Sequence, residues 1–162
     1  MRHDSLYLLA ASAMLAACGT SQARVAEPAR HAGLQIKHTS VFVDDQDKAL
    51  HFYADVLGLA KKDDVNKGGY RWLTVAAAGD ATGTELQLAL DTSPGAKAFQ
   101  QALLDSHQPA VMFYTDDVKS DFERIKAHGG DFTMTPTSVT GATIAQLKDN
   151  CGNLVQLTQL VR

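Results

Sequence analysis

The sequence predicts an α+β domain built from two copies of one βαβββ module. With 162 residues, of which 45% are hydrophobic, the chain is long enough for one well-packed domain. Short segments alternate between apolar and polar residues, which is typical of strands with one buried face. Apolar residues at helical spacing occur twice, each time after an Asp-Asp pair that can cap a helix. The same order of segments then recurs, which indicates a duplicated supersecondary unit.

The first module begins with a strand predicted at residues 36–43, where β-branched residues alternate with polar ones. Asp44-Asp45 then supplies capping side chains, and apolar residues follow at helical spacing as far as Gly58. Gly58 is predicted to end this helix. Three further strands, separated by glycine-rich turns, are predicted at about 60–65, 70–77 and 84–90.

The second module repeats this order. A strand at 110–115 precedes the Asp116-Asp117 cap, and Gly129-Gly130 ends the second helix. Superimposing Asp44 on Asp116 brings Gly58 into register with Gly130. The closing strands are predicted at about 132–135, 141–148 and 154–161. The modules therefore span about 34–91 and 108–162, and the connector at 92–107 contains a short predicted helix at 96–104.

The first 33 residues differ in composition from the rest of the chain. Arg2 is followed by a short apolar stretch at 6–17 and by Leu-Ala-Ala-Cys, which ends at Cys18. This motif resembles the lipobox of bacterial lipoproteins, so we expect a signal peptide at 1–17, a lipid anchor on Cys18 and a flexible tether over 18–33. In proteins that resemble this one, Gly19 after the Cys goes with the outer membrane. We therefore expect a cell-envelope location that faces the periplasm; the alternative is a buried apolar helix with an incidental Cys.

Charge and cysteine content narrow the possible partners. The chain has 15 Lys and Arg against 18 Asp and Glu, without a block of like charge. Because nucleic-acid binding needs a concentrated basic surface, nucleic acid is not an expected partner. If Cys18 carries lipid, Cys151 has no disulfide partner, and the turn around it supplies no catalytic base. We interpret Cys151 as structural.

Four strings together resemble the vicinal oxygen chelate superfamily, which includes glyoxalase I, extradiol dioxygenases and bleomycin-binding proteins. They are His38-Thr-Ser-Val-Phe-Val-Asp-Asp, Ala-Leu-His-Phe-Tyr…Val-Leu-Gly-Leu, Glu85-Leu and the closing Asp-x-x-Gly-Asn-x-x-Gln. The resemblance covers 34–162 and implies that the strands curl into a half-barrel with a concave, ligand-holding cup. It also implies a homodimer, formed either cup to cup or by exchange of modules. The fold alone does not fix the chemistry, because it hosts enzymes and binding proteins alike.

The resemblance implies four metal-ligand positions in the cup, which fall on His38, Glu85, Ala110 and Gln156. Imidazole and carboxylate are good metal ligands, an amide oxygen is a weaker one, and an alanine methyl is none. His38, Glu85 and Gln156 could just supply the three protein ligands of a catalytic zinc site. We therefore expect either no cofactor or a divalent metal (Zn, Ni, Mn or Fe) at an incomplete site.

Strand alternation extends the candidate cup beyond these positions. If His38 and Glu85 point into the cup, residues two and four positions along the same strands do so too. The mixture of aromatic and polar groups suits a small, planar ligand. The alternative is that the aromatic residues fill the cup or seal a dimer interface. The predicted ligand-binding residues are Ser40, Phe42, Tyr70, Trp72, Gln87, Met112, Tyr114 and Gln156.

The leading functional prediction is a membrane-tethered small-molecule-binding protein without a complete metal site, because Ala110 breaks the ligand set. The alternative is a metal-dependent lyase or isomerase resembling glyoxalase I (lactoylglutathione lyase), with Glu85 and His38 as catalytic residues. An extradiol dioxygenase is less favoured, because its facial triad needs two His and one carboxylate. An envelope interaction protein that uses exposed edge strands is a further alternative. Whether the chain is an enzyme stays open at this point.

Overall fold

The computed structural model describes residues 33–80 and 83–161. The predicted signal peptide and the lipid anchor at Cys18 lie outside the described residues, as does the tether apart from Gly33. Contacts group the chain from Leu34 onward into one compact unit. Among the described residues, no helix combines the length and apolar character needed to cross a membrane.

The first module contains four strands and one helix. The helix begins as α1 (Gln46–Leu50) and continues as a π-helical turn (His51–Val56). The strands are β1 (His38–Val43), β2 (Ala60–Lys67), β3 (Tyr70–Ala76) and β4 (Glu85–Leu90).

The second module repeats this order after a connecting helix, α2 (Pro94–Asp105), which was predicted from the sequence. Its own helix is α3 (Val118–Ala127). β6 runs further than predicted, because it pairs with β7 as far as Val139, and as an edge strand it tolerates Pro136, which has no amide hydrogen to donate. The strands are β5 (Val111–Tyr114), β6 (Asp131–Val139), β7 (Ala142–Lys148) and β8 (Leu154–Leu160).

The two modules form sheets of the same topology. The strand orders are β1-β4-β3-β2 and β5-β8-β7-β6. In each sheet the first strand of the module pairs in parallel with its last strand, and the other pairs are antiparallel. This repeated βαβββ topology confirms the predicted α+β fold class.

Both module helices begin at the predicted aspartates. The side chain of Asp45 accepts hydrogen bonds from the first-turn amides of α1, and Asp117 caps α3 in the same way. Gly58 and Gly129 follow these helices with φ of 88° and 90°, the left-handed conformation that favours glycine. The predicted register of Gly58 with Gly130 is therefore wrong by one residue. The π-helical turn accounts for this, because it adds one residue to the first helix.

One hydrophobic core joins the two modules on the helix side of both sheets. Alternate residues of β1 and β4 point into it, as the sequence pattern predicts. The same alternation predicts that Leu90 is buried, but it is 42% exposed because it is the last residue of β4. The buried strand residues of this core are Val41, Val43, Leu73, Val75, Leu86, Leu88, Ala145, Leu147, Val155 and Leu157.

Buried hydrogen bonds at the turn between β7 and β8 join the two modules. Asp149 is fully buried and accepts hydrogen bonds from the amides of Cys151 (2.8 Å) and Asn153 (2.9 Å). The Tyr53 hydroxyl, from the helix of the first module, donates to the same carboxylate at 3.2 Å. Burial raises the pKa of Asp149 and that of Tyr53, while the hydrogen bonds act to lower the pKa of Asp149. Burial likewise raises the pKa of Cys151 to about 12, which agrees with a structural role.

Gln100 of α2 holds the connecting helix against both modules. Its buried amide nitrogen lies within hydrogen-bond distance of three acceptors, so one of its two hydrogens is shared. The acceptors are the carbonyl oxygens of Phe42 (2.9 Å) and Cys151 (2.8 Å) and Oδ1 of Asn153 (3.1 Å). The Asn153 amide also donates to the Phe42 carbonyl, at 2.8 Å. The end of β1 and the start of β8 are therefore fixed to the same helix.

Candidate functional site

Six of the predicted site residues lie on the face of the first sheet that points away from the core. The pairing of β1 with β4 sets His38 opposite Glu85 and Ser40 opposite Gln87. β3 adds Thr74 opposite Gln87. Because paired residues share a face, their side chains are neighbours. This surface is the first-sheet face, formed by His38, Ser40, Tyr70, Trp72, Thr74, Glu85 and Gln87.

His38 and Glu85 approach each other without forming a hydrogen bond. Nε2 of His38 lies 3.7 Å from Oε2 of Glu85, beyond hydrogen-bond range. The His38 ring meets the Trp72 ring edge-on, with 5.3 Å between centroids. The two residues predicted as catalytic are thus adjacent, and an aromatic ring borders them.

Thr74 fixes the Glu85 carboxylate. The Thr74 hydroxyl oxygen is fully buried and accepts a hydrogen bond from the amide of Asp63 at 3.1 Å. Its own proton is donated to Oε2 of Glu85 at 2.7 Å. Because an amide can only donate and an ionised carboxylate can only accept, the direction of this short chain is set.

A second polar chain crosses the same face. The Ser40 hydroxyl donates to Oε1 of Gln87 at 2.9 Å, and Nε2 of Gln87 donates to the Tyr70 hydroxyl at 2.5 Å. Gln87 is buried, whereas Tyr70 is 56% exposed. The predicted residues of the first module therefore form a connected surface with polar groups at fixed positions.

Phe42 is separate from this network. Its ring packs edge-on against Phe99 of α2, with 6.5 Å between centroids. A cavity of about 20 Å³ lies beside it, lined by Ser40, Val41, Phe42, Phe99, Gln100, Leu103, Ala110 and Asn153. In the single chain, Phe42 thus contacts the connecting helix.

The second sheet carries the remaining predicted residues on its own outward face. β5 pairs with β8 so that Met112 lies opposite Gln156 and Tyr114 opposite Thr158. The Gln156 amide accepts from Gln146 (3.1 Å) and donates to Thr158 (3.1 Å), with a longer contact to the Met112 sulfur (3.6 Å). Met112 and Tyr114 are 52% and 66% exposed.

The predicted cup residues form open surfaces in one chain. The larger depression, of about 660 Å³, lies on the second sheet and is lined by Tyr114, Thr115, Asp116, Thr143, Gln159, Leu160 and Val161. Neither this depression nor the cavity beside Phe42 includes His38, Trp72 or Glu85 within the part of the chain that the structure describes. The first-sheet face is open to solvent, because the His38 side chain is 45% exposed and Tyr70 is 56% exposed.

The two sheets do not offer equivalent metal positions. His38 faces Glu85 in the first sheet. In the second sheet, the Ala110 amide donates to the Leu154 carbonyl at 2.9 Å. Gln156 lies two residues further along β8 and pairs with Met112. The second module thus offers two apolar residues where the first offers an imidazole and a carboxylate.

The donor set does not fit a resident divalent metal. His38 and Glu85 supply two ligands, whereas a catalytic site needs three. The amide oxygen of Gln156, the expected third ligand, is engaged by Gln146 within its own sheet. Across residues 33–80 and 83–161, no group of three or more His, Cys, Asp or Glu side chains is arranged to hold a metal ion.

Three residues at these surfaces were not predicted as site residues from the sequence: Thr74, Gln146 and Phe99. Alternation puts Thr74 on the cup side, yet its hydrogen bond to Glu85 is diagonal, since its pairing partner on β4 is Gln87. Gln146 could have been found in the same way, because it lies between the core residues Ala145 and Leu147. No sequence pattern signals that Phe99 packs on Phe42, because that contact depends on the position of α2.

Comparison with known proteins agrees with this topology. Residues 35–157 match the Glyoxalase/Bleomycin resistance protein/Dioxygenase superfamily. Uncharacterized protein YurT of Bacillus subtilis (strain 168) is 43% identical over 126 residues, which cover 78% of this chain and 99% of YurT. A probable lactoylglutathione lyase of Vibrio cholerae serotype O1 is 28% identical over 129 residues, which cover 77% of this chain and 90% of the lyase.

The solved structure of TnmS3, an antibiotic binding protein from Streptomyces sp. CB03234, is also similar. It has 28% sequence identity and a TM-score of 0.65, and the match covers 80% of this chain and 98% of TnmS3. The family match spans strands of both sheets, and the repeated βαβββ topology is present in full. On these grounds the chain belongs to the glyoxalase/bleomycin resistance protein/dioxygenase superfamily.

Proposed function

We propose that the chain is a small-molecule-binding protein whose ligand lies on the first-sheet face and whose site holds no metal. One observation carries the proposal: accessible aromatic rings lie beside polar groups at fixed positions. Tyr70 is 56% exposed and Trp72 is half-buried, and both lie beside the Ser40–Gln87 chain. Aromatic surface with a few placed hydrogen-bonding groups suits a flat organic ligand.

The comparisons support binding as an activity of this fold. TnmS3, 28% identical to this chain, is named an antibiotic binding protein. The poor fit of the donor set to a metal favours the same activity, since the lyase alternative needs a cation to stabilise negative charge in its reaction.

A homodimer is part of the proposal. Tyr70 is exposed on the first sheet, and Met112 and Tyr114 are exposed on the second. Such open faces hold a small molecule poorly unless another surface covers them. A second copy could supply that surface through a two-fold interface. Sedimentation of a single monomeric species at micromolar concentration would contradict this part of the proposal.

Attachment to the cell envelope through Cys18 is also proposed, on the lipobox-like sequence Leu-Ala-Ala-Cys. We expect radiolabelled palmitate to be incorporated by the full chain and not by the C18S variant. Equal incorporation by both chains would contradict a lipid anchor at this residue.

A lyase or isomerase is the second candidate function. It is favoured by the 3.7 Å approach of His38 to Glu85. It is also favoured by three relatives at 26–28% identity, one named lactoylglutathione lyase and two named probable lactoylglutathione lyase. Such a pair could move a proton next to a carbonyl group.

A partner bound along the edge strands is less favoured. β2 carries charged residues along most of its length, and β6 contains Pro136. Both strands also have irregular pairing with their neighbours. These features protect an edge from pairing with another chain.

Metal content separates the two candidate functions. We would measure it in the full chain after incubation with zinc, nickel and manganese. E85Q removes the charged donor, and E123Q makes the same change at an exposed position on α3 as a matched control. We expect less than 0.1 metal per chain in all three proteins, about the background of such a measurement. Stoichiometric metal in the wild type and E123Q that disappears in E85Q would overturn the metal-free proposal and favour the lyase.

Ligand binding would be followed through Trp72, the single tryptophan of the chain. We expect flat aromatic compounds to change its fluorescence. An unchanged signal across a broad aromatic screen would count against the first-sheet face as the site.

A further inference from the structure

Among the described residues, Glu85 is the one side chain with a fixed charge that β1, β3 and β4 present on the first-sheet face. Lys67 of β2, which pairs with Tyr70, lies at the outer edge of the sheet. Arg71 belongs to the opposite face, where it pairs with Asp47 and Asp64. The other described outward-facing residues of β1, β3 and β4 are His38, Ser40, Phe42, Tyr70, Trp72, Thr74, Ala76, Gln87 and Ala89.

The charge of Glu85 is held in place and only partly satisfied. Thr74 donates to Oε2, and the donor direction is fixed because Thr74 itself accepts from the Asp63 amide. His38 lies 3.7 Å away, too far for a hydrogen bond. Among the described residues, Oε1 of Glu85 has no hydrogen-bond donor. The side chain is 23% exposed, so its charge is partly removed from water and still reachable.

Two aromatic side chains lie on the same surface. Trp72 contacts His38 edge-on, and Tyr70 accepts a hydrogen bond from Gln87, which leaves the Tyr70 hydroxyl proton available. Aromatic faces attract cations, and a half-buried carboxylate binds an ammonium group more strongly than an exposed one does. A metal ion would need further ligands, which this face lacks, whereas an organic ammonium group needs one carboxylate and an apolar border.

We propose that the ligand is an organic cation, an amine attached to a flat ring system, and that Glu85 supplies its counter-charge. This inference rests on the proposed binding function and adds the chemical class of the ligand. Glu85 stands at one of the four expected metal-ligand positions, and here it is assigned to direct contact with the ligand.

Three naphthalene compounds of similar size provide the test: 1-naphthylmethylamine (cation), 1-naphthylmethanol (neutral) and 1-naphthylacetate (anion). Each is titrated into the full chain, and binding is read from the NMR signal of the Trp72 indole N–H, the one tryptophan signal. We expect the amine to bind at least about tenfold more tightly than the alcohol. E85Q should bring the two compounds within about twofold of each other by weakening the amine alone, while E123Q should behave as wild type.

The outcomes separate the two proposals. Equal binding of amine and alcohol with a shifted Trp72 signal would overturn the cation inference and leave the binding function in place. A preference for the anion, or an amine preference that survives E85Q, would also overturn the inference. No shift with any of the three compounds at millimolar concentration would overturn the first-sheet face as an aromatic-ligand site and the inference with it. Gln at position 85 still offers Thr74 an acceptor, so loss of folding is not the expected result of E85Q.

Discussion

At the scale of single residues, Thr74 has the most constrained role on the first-sheet face. Its hydroxyl group is both an acceptor for a backbone amide of β2 and a donor to Glu85. The side chain is fully buried, so water cannot replace either partner. Thr74 therefore couples the irregular pairing of β2 to the position of the carboxylate.

Substitution of Thr74 by valine keeps the shape and removes both hydrogen bonds. We expect T74V to lower the free energy of unfolding by about 1–3 kcal/mol, because a buried amide and a half-buried carboxylate each lose a partner. Urea unfolding followed by circular dichroism measures this change.

T133V is the control for this substitution, since it makes the same change at an exposed threonine of the edge strand β6. We expect it to change stability by less than about 0.5 kcal/mol. If T74V were as stable as T133V, the hydrogen bonds of Thr74 would contribute nothing measurable, and Glu85 would not be held in the way described.

At the scale of helices and strands, the sequence predicts most of what the structure contains. Alternation, together with the glycine-rich turns between segments, predicted all eight strands of the described residues. β2 is among them, although nearly all of its residues are exposed. The Asp-Asp pairs located both helix starts, since their side chains satisfy first-turn amides. Strand alternation and helix capping depend on neighbouring residues, so they can be predicted from a single sequence.

The errors at this scale have two causes that no sequence pattern reveals. The π-helical turn at His51–Val56 adds one residue within an otherwise ordinary apolar period. It moves the end of the first helix one residue later, so that Gly58 corresponds to Gly129 and not to Gly130. The contacts of α2 with β1 depend on packing between elements, which the sequence pattern does not encode.

Two glycines give opposite predictions for the same substitution. Gly129 ends α3 at φ 90°, whereas Gly95 lies in the first turn of α2 without a positive φ, and neither has atoms within 4 Å of an added Cβ. We expect G129A to destabilise the chain by about 1–2 kcal/mol through backbone strain. We expect G95A to stabilise it by about 0.4–1 kcal/mol, because alanine restricts the unfolded chain. Thermal unfolding of both variants checks the signs, and a stabilising G129A would contradict the assigned helix end.

At the scale of the whole molecule, the two modules are held together by one core and by buried polar contacts. The core contains strand residues of both sheets, so the modules are expected to unfold together. The polar contacts meet at the β7–β8 turn, where Gln100 reaches the backbone of both modules. This arrangement also holds β1, and with it His38, in a fixed relation to the second sheet.

Gln100 therefore provides a test of how firmly the connecting helix joins the modules. In Q100A, the Cys151 carbonyl loses its side-chain donor, while the Phe42 carbonyl keeps the Asn153 amide, and we expect the free energy of unfolding to fall by about 1–3 kcal/mol. Q101A is the matched control, because Gln101 is exposed on the same helix and bonds to Asp105, and about 0.5 kcal/mol or less is expected there. Urea unfolding monitored by Trp72 fluorescence reports on the first module, and circular dichroism reports on both. Coincident transitions in wild type that separate in Q100A would show that Gln100 couples the modules, whereas an unchanged midpoint would mean that the apolar core alone joins them.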